Sequence, residues 1–353
     1  MDVSVNGPML LVAAYWVAVL TLALGFGVLA IIVILRVHAQ GRDRRDERAR
    51  QHWLQVMREV LAGHEVQTRR LDRGEASGFI EAWNATHDTL TEDESKRLQP
   101  LGRSVGLVDA ARGMLRGNYH DCAMAIIAMG HQRDHGVFDD LAPFLNDRSP
   151  IVSLCAAQAL GQVDPPRAMA MFVPMILERE DWMPGNVAGI LARNTDGSAA
   201  LELDNSLLRA STSSMVKLVR FLADIDPGRA AAVIRQLLVS PIDDHAVSVC
   251  LQLVSDKQDA PLVADFLESP RWHVRMHAAA ALGRIGDAAD SQRLEPLLKD
   301  KVWWVRYRTA QALLVLPGMG EEAMRGLQLR QSDAFGRDII DQVLSEHAMG
   351  VAA

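Results

Sequence analysis

The chain has 353 residues, enough for two ordinary domains or one extended array, with 49% apolar residues but only 5% aromatic ones. A core built mainly from Ala, Leu and Val suits close helix packing better than strands. The net charge of −7 argues against a duplex-binding protein dominated by phosphate contacts.

Residues 1–8 are a short leader without Lys or Arg, and the stretch from Met9 to Leu35 then carries no charged side chain at all. About 20 apolar residues cross a bilayer core, so a transmembrane helix is expected over 9–36. The absence of a basic leader and the length of the apolar run disfavour a cleavable signal peptide. Only Asp2 precedes the run, whereas Arg36, Arg42, Arg44, Arg45, Arg48 and Arg50 follow it. Positive residues stay inside, so residues 1–8 are expected outside the inner membrane and the rest in the cytoplasm.

Residues 37–117 read as a juxtamembrane helical spacer and N-terminal cap. Over 43–62, Trp53, Leu54, Met57, Val60 and Leu61 form an apolar stripe at helical spacing. That helix either continues the anchor as a stalk or packs back on the body. Phe79, Ile80 and Trp83 mark a helix ending near Thr89. Thr91-Glu92-Asp93-Glu94 has the form of a capping box opening another, with Leu98, Leu101 and Val105 inside.

From 118 to 350 a leucine-type anchor returns at Met129, Leu160, Leu191, Leu222, Leu253, Leu282 and Leu313. The interval is the same throughout, apart from a slightly shorter step between Leu253 and Leu282. A fixed period in this range marks stacked two-helix units. In the clearest copies Val152, Ala156, Ala159, Leu160 and Val163 share their spacing with Val274, Ala278, Ala281, Leu282 and Ile285, and with Val305, Thr309, Ala312, Leu313 and Leu316. Small residues in the middle of that face let neighbouring helices approach, and Gly130, Gly161 and Gly283 follow three anchors where a side chain would crowd the next unit. Turns such as Val163-Asp164-Pro165-Pro166 and Ile285-Gly286-Asp287 lead into shorter amphipathic helices from Phe138, Ala168, Leu201, Ala230, Leu262, Leu294 and Met324. A last helix from Phe335 to His347 closes the far end. The fold class is therefore all-α, a transmembrane helix followed by an α-solenoid of about seven helix pairs.

Val274-Arg275-Met276-His277 through Ala281-Leu282-Gly283-Arg284-Ile285-Gly286-Asp287, with Pro296-Leu297-Leu298-Lys299-Asp300 leading into Val305-Arg306, resembles HEAT repeats of the short, phycobilisome-lyase-type variety. The likeness is strong over 270–317, good near 145–177 and degraded between 180 and 265. It implies a right-handed solenoid and a partner-binding role. Together with the leading apolar segment, the chain also resembles bacterial membrane-anchored HEAT-repeat proteins, a likeness that implies work beside membrane-bound enzymes of envelope polysaccharide or glycosyltransferase systems.

Arg275 and Arg306 hold the same repeat position, where the resemblance implies a pairing with turn acids such as Asp287. Trp272 and His273, and Trp303 and Trp304, precede the repeat Val and sit at the inter-repeat turn. Flanked by Arg271, Arg275, Lys301, Arg306 and Arg308, they form either a protein-binding ridge or a row of packing groups. His273 and His277 lie four apart without a third ligand nearby. Cys122, Cys155 and Cys250 have no paired spacing and read as buried thiols in a reducing compartment. No nucleophile elbow, P-loop or zinc-protease motif occurs, so no catalytic residue, metal or cofactor is expected. The expected function is a scaffold that recruits a protein partner, with a chromophore or prosthetic-group lyase as the alternative. Nucleic acid is not an expected partner, because 12 Lys/Arg face 16 Asp/Glu from residue 240 onward, and no small-molecule substrate is evident.

Overall fold

A computed structural model describes Arg36 and residues 44–351. The expected transmembrane segment and its leader lie outside the described residues, among which no helix is long and apolar enough to cross a membrane. The described residues are helical without strands, consistent with an α-solenoid, and fall into two compact units divided between Val163 and Asp164.

The first unit holds α1 (44–61), α2 (Ala76–His87), α3 (Glu92–Val105), α4 (Leu107–Met114), α5 (Tyr119–Gln132), α6 (Phe138–Leu141) and α7 (Pro150–Val163). Thr91 makes the expected capping box with Glu94, fixing the start of α3. Helix α1 packs back on the body and does not stand off as a stalk. The Trp53 ring meets Phe79 edge-on at 5.0 Å, and the Thr86 hydroxyl donates to Met57 Sδ at 3.4 Å. From Phe79 the rings continue through Trp83 and His87 to His131 on α5, with centroids 5.7, 4.3 and 4.8 Å apart. The cap and the first repeat helix thus share one core.

The second unit holds α8 (Pro165–Glu178), α9 (Pro184–Ala192), α10 (Ser198–Leu207), α11 (Thr212–Ile225), α12 (Pro227–Leu238), α13 (Asp244–Leu253), α14 (Ala260–Asp265), α15 (Trp272–Ile285), α16 (Ser291–Leu294), α17 (Trp303–Val315), α18 (Glu321–Arg330) and α19 (Ala334–Val351). Where the repeat signature is strongest, the second helix of the pair is a short α-turn flanked by 3-10 turns, as at Ala288–Asp290 and Glu295–Lys299. In α8 and α12 the second helix is instead a regular α-helix.

An aspartate opens the second element in six of the pairs, the exception being α18, which starts after Gly320 without a side-chain cap. Asp134, Asp164, Asp196, Asp226, Asp256 and Asp287 accept from the backbone N–H of Gly136, Arg167, Ser198, Arg229, Gln258 and Ala289 at 2.8–3.3 Å. Between pairs, Asp147, Asp243, Asp300 and Asp333 accept from Ser149, Ala246, Val302 and Gly336 at 2.7–2.8 Å. Each cap of this kind contributes roughly 1 kcal/mol and stops one helix while starting the next. Much of the acidic excess is therefore local architecture.

Successive first helices touch through small residues. A Cβ on Gly283 would lie 2.7 Å from both Cα and Cβ of Ala312, and one on Gly130 would lie 2.7 Å from the same atoms of Ala159. The anchor positions are buried with one correction: Leu253 is only half-buried, and Leu251, with no exposed surface, is the true anchor of α13. The short step thus falls between Leu222 and Leu251, and two full steps follow, to Leu282 and Leu313. The physical reason is that α13 turns out at Val254, which is buried where Ile285 and Leu316 are buried in the next two copies. Cys122 and Cys250 are buried and Cys155 half-buried, and burial pushes all three thiols up, Cys250 to about 11. They behave as apolar filling.

Two outcomes follow from this packing. Gly283→Ala forces a methyl against backbone and costs about 1–3 kcal/mol, read as a lower urea midpoint at unchanged m-value. A shift below about 0.5 kcal/mol would mean that the helices do not meet there. In the first unit, burial holds the His87 imidazole below its ordinary pKa, helped by Arg133 and opposed by the Trp83 carbonyl, which accepts from Nδ1 at 2.9 Å, and by Asp88. The native state then binds fewer protons than the unfolded one, so stability rises with pH up to about 6.5 and is lost as pH falls below it. His87→Leu removes that part of the slope in urea melts between roughly pH 5 and 7, whereas an unchanged slope would place the proton elsewhere.

Candidate partner-binding surface

Trp272 and Trp303 open α15 and α17, one period apart, with Val274 and Val305 beneath them fully buried. The valines lock the first turn onto the core, and the indoles stay outward. Trp272 is 42% exposed, Trp303 38% and Trp304 51%. Trp303 stacks on Tyr307 at 4.9 Å with its ring 10° from parallel, and Trp304 meets Trp303 edge-on at 4.7 Å. Tyr307 is fixed in turn, because its Oη donates to Glu346 Oε2 on α19 at 2.7 Å. The bond to Glu346, with burial behind it, pushes the phenol pKa up and keeps the donor protonated. The three rings of α17 thus form a braced, half-exposed cluster.

The cations divide by role. Arg275 is a clamp: its Nε and Nη2 donate to Asp300 Oδ2 and Oδ1 at 2.7 and 3.0 Å, and Nη1 donates to the Ser269 carbonyl at 2.8 Å. The partner acid is Asp300 of the following turn, not Asp287, which is occupied in capping its own 3-10 turn. Arg306 donates to the carbonyls of Asp300 and Lys301 at 2.7 and 3.4 Å, and Arg337 does the same to Gln331 and Ser332 at 3.0 and 3.2 Å. These arginines lie one period apart and hold the inter-repeat turns. Position 331 is Gln where 300 is Asp, so Arg306 lacks the acid that Arg275 has, and its guanidinium lies over the Phe335 ring at 5.2 Å. Arg271 pairs with Asp244 at 2.9 Å, Arg308 donates to Gln311 at 2.9 Å, and Lys301 is exposed.

The histidines turn to separate partners on α13. Ser248 Oγ already donates to the Asp244 carbonyl, so His273 Nδ1 donates to Ser248 Oγ at 3.1 Å. Gln252 Nε2 donates to His277 Nε2 at 3.2 Å. Burial, then the charges of His273, Arg308 and Arg284, hold the His277 imidazole below its ordinary pKa. Among the described residues no group of three or more His, Cys, Asp or Glu is placed to hold a metal ion.

Residues 231–314 match the family model for HEAT repeats, a span that contains the whole Trp272–Arg308 ridge. The chain carries HEAT repeats over this span. No curated protein matches the chain. The HEAT fold is typically non-catalytic and commonly carries protein–protein interaction, so the match supports an interaction scaffold.

Sequence reasoning missed the Asp300 partnership, because a pair so far apart along the chain leaves no spacing signal, and missed Tyr307 and Glu346 as the brace of the ridge. It also passed over Arg179, Trp182, Lys217 and Arg220, in the stretch where the repeat signature is weakest.

The Arg275–Asp300 pair is largely buried, with side-chain exposures of 18% and 8%. Asp300→Ala leaves a buried guanidinium uncompensated and costs about 3–5 kcal/mol in urea unfolding. Asp287→Ala removes only a cap and costs about 1 kcal/mol. Equal costs would return the pairing to Asp287.

Proposed function

We propose that this HEAT-repeat protein is a non-enzymatic scaffold whose Trp272–Trp304 ridge holds a protein partner at the cytoplasmic face of the inner membrane. The observation that carries the reading is the exposure of three indoles on helices whose adjoining valines are fully buried. Trp and Arg dominate the energetic anchors of protein interfaces, and Arg271, Lys301 and Arg308 surround these rings on the surface. A ridge braced by Tyr307 and Glu346 meets its partner without first ordering its own side chains, which lowers the entropic cost of binding.

The membrane part of the reading rests on the uncharged run Met9–Leu35 and the arginines after it. Confinement to a surface raises the effective concentration of whatever the array holds near membrane-bound enzymes. Enzymes of envelope polysaccharide or glycosyltransferase systems are the partner class that the resemblance to membrane-anchored HEAT proteins suggests.

Replacing Trp272, Trp303 and Trp304 together with Ala tests the ridge. The expected result is loss of at least about 2 kcal/mol of partner affinity in crosslinking pull-downs from native membranes, with the thermal melt shifted little. A collapsed melt would make the indoles packing groups. Fractionation tests the anchor: the full chain is expected in the membrane pellet and a 9–36 deletion in the supernatant, and a full chain in the supernatant would end the membrane reading.

A further inference from the structure

Between α9 and α11 the second unit has a groove of about 650 Å³ that shares no residue with the ridge. Its origin is a missing side chain. With Leu191 of α9 set in register with Leu313 of α17, Gly185 stands where α17 carries Tyr307. A Cβ at Gly185 would meet nothing within 4 Å. The wall behind is apolar and fixed: Trp182 is only 5% exposed, its ring 5.0 Å from Phe172, with the Arg179 guanidinium over it at 5.1 Å. Asp181 pairs with Arg179 at 2.7 Å and neutralises it.

The opposite bank is different. Lys217 and Arg220 lie one turn apart on α11, both exposed and both lining the groove. Among the described residues no carboxylate pairs with either, and Arg220 reaches only Gln252 at 3.5 Å. Two uncompensated cations therefore stand beside an apolar recess, with Asp224 and Glu180 further along the rim.

We propose that this groove takes a short acidic peptide of a partner protein, with a bulky apolar side chain entering beside Trp182 and adjacent carboxylates pairing with Lys217 and Arg220. The charge complement selects acidic over basic segments, because like charges against Lys217 and Arg220 repel. The exposed rim favours a peptide over a small ligand: enclosed sites bury about 70–90% of a small molecule, whereas an extended segment covers the rim as well as the recess. Two cations on a rim that also carries Glu180 and Asp224 are too few for a phosphate backbone.

A random dodecapeptide library panned against the full chain tests this, followed by fluorescence anisotropy of the enriched peptides. The expected enrichment is a bulky apolar residue flanked by Asp or Glu. Binding is expected to fall about tenfold or more in Lys217→Glu/Arg220→Glu, and in Gly185→Leu, whose Cβ meets nothing within 4 Å and whose longer side chain occupies the recess. The Trp272→Ala/Trp303→Ala/Trp304→Ala variant keeps this binding, so failure of the ridge and failure of the groove read out separately. Circular dichroism melts of each variant identify any that fails to fold, and Ala188→Leu, on the same helix and lining the same groove, then replaces Gly185→Leu. No enrichment, enrichment without acidic residues, unchanged affinity in the groove variants, or dodecanoate binding there while peptides do not, would each overturn the proposal.

Discussion

The approach of one first helix to the next through Gly and Ala is the constraint on which the rest depends. Gly283 against Ala312 leaves no space for a methyl group, and Gly130 against Ala159 repeats the contact in the first unit. Helices this close bury a dense core built mainly from Ala, Val and Leu, so a chain with 5% aromatic residues needs only a few buried rings such as Phe79, Trp83, Phe138 and Phe172 to fill its interior. The seam also dictates which way the remaining side chains face. With Val305, Ala312 and Leu313 turned to the core, Trp304 and Arg308 have only the open side of α17 left to them.

Charge is deployed on the same plan. Aspartates at most of the turns, within pairs and between them, end one helix and begin the next, and an arginine one period apart in α15, α17 and α19 holds the preceding turn by its carbonyls. Where the acid of the following turn is present, as Asp300, the arginine is clamped from both sides; burial pushes the Asp300 carboxyl up, but Arg275, the Val302 amide and Arg306 together hold it below the usual range. Where it is Gln331, the guanidinium turns to Phe335. A single substitution in the turn thus changes an ion pair into a stacking contact without changing the helix.

The helical pairs were legible because their signal is a period, and periods survive drift at single positions. Even so, Leu253 stood in for Leu251, since two leucines so close together both keep an approximate step and only burial separates them. The ridge was legible from Trp before Val in consecutive copies. Its brace was not, because Tyr307 and Glu346 are distant in sequence and belong to different helices. The choice for residues 43–62 between a stalk and a docked helix turned on the Trp53–Phe79 contact, which the stripe alone could not reveal. The groove was hidden for a deeper reason: it is made by what Gly185 lacks, and an absent side chain leaves no pattern in a sequence.

Removal of one whole period tests the repeat account most directly. If each pair packs only on its neighbours, deleting residues 272–302, one full step of the repeat, joins two equivalent seams. Urea unfolding followed by circular dichroism should then show a folded, helical protein whose m-value falls in proportion to its length. Deleting 272–286 alone, which removes α15 and leaves its companion turns, should abolish the cooperative transition. Equal damage from the two deletions would contradict the account, because it would mean that the core is not periodic.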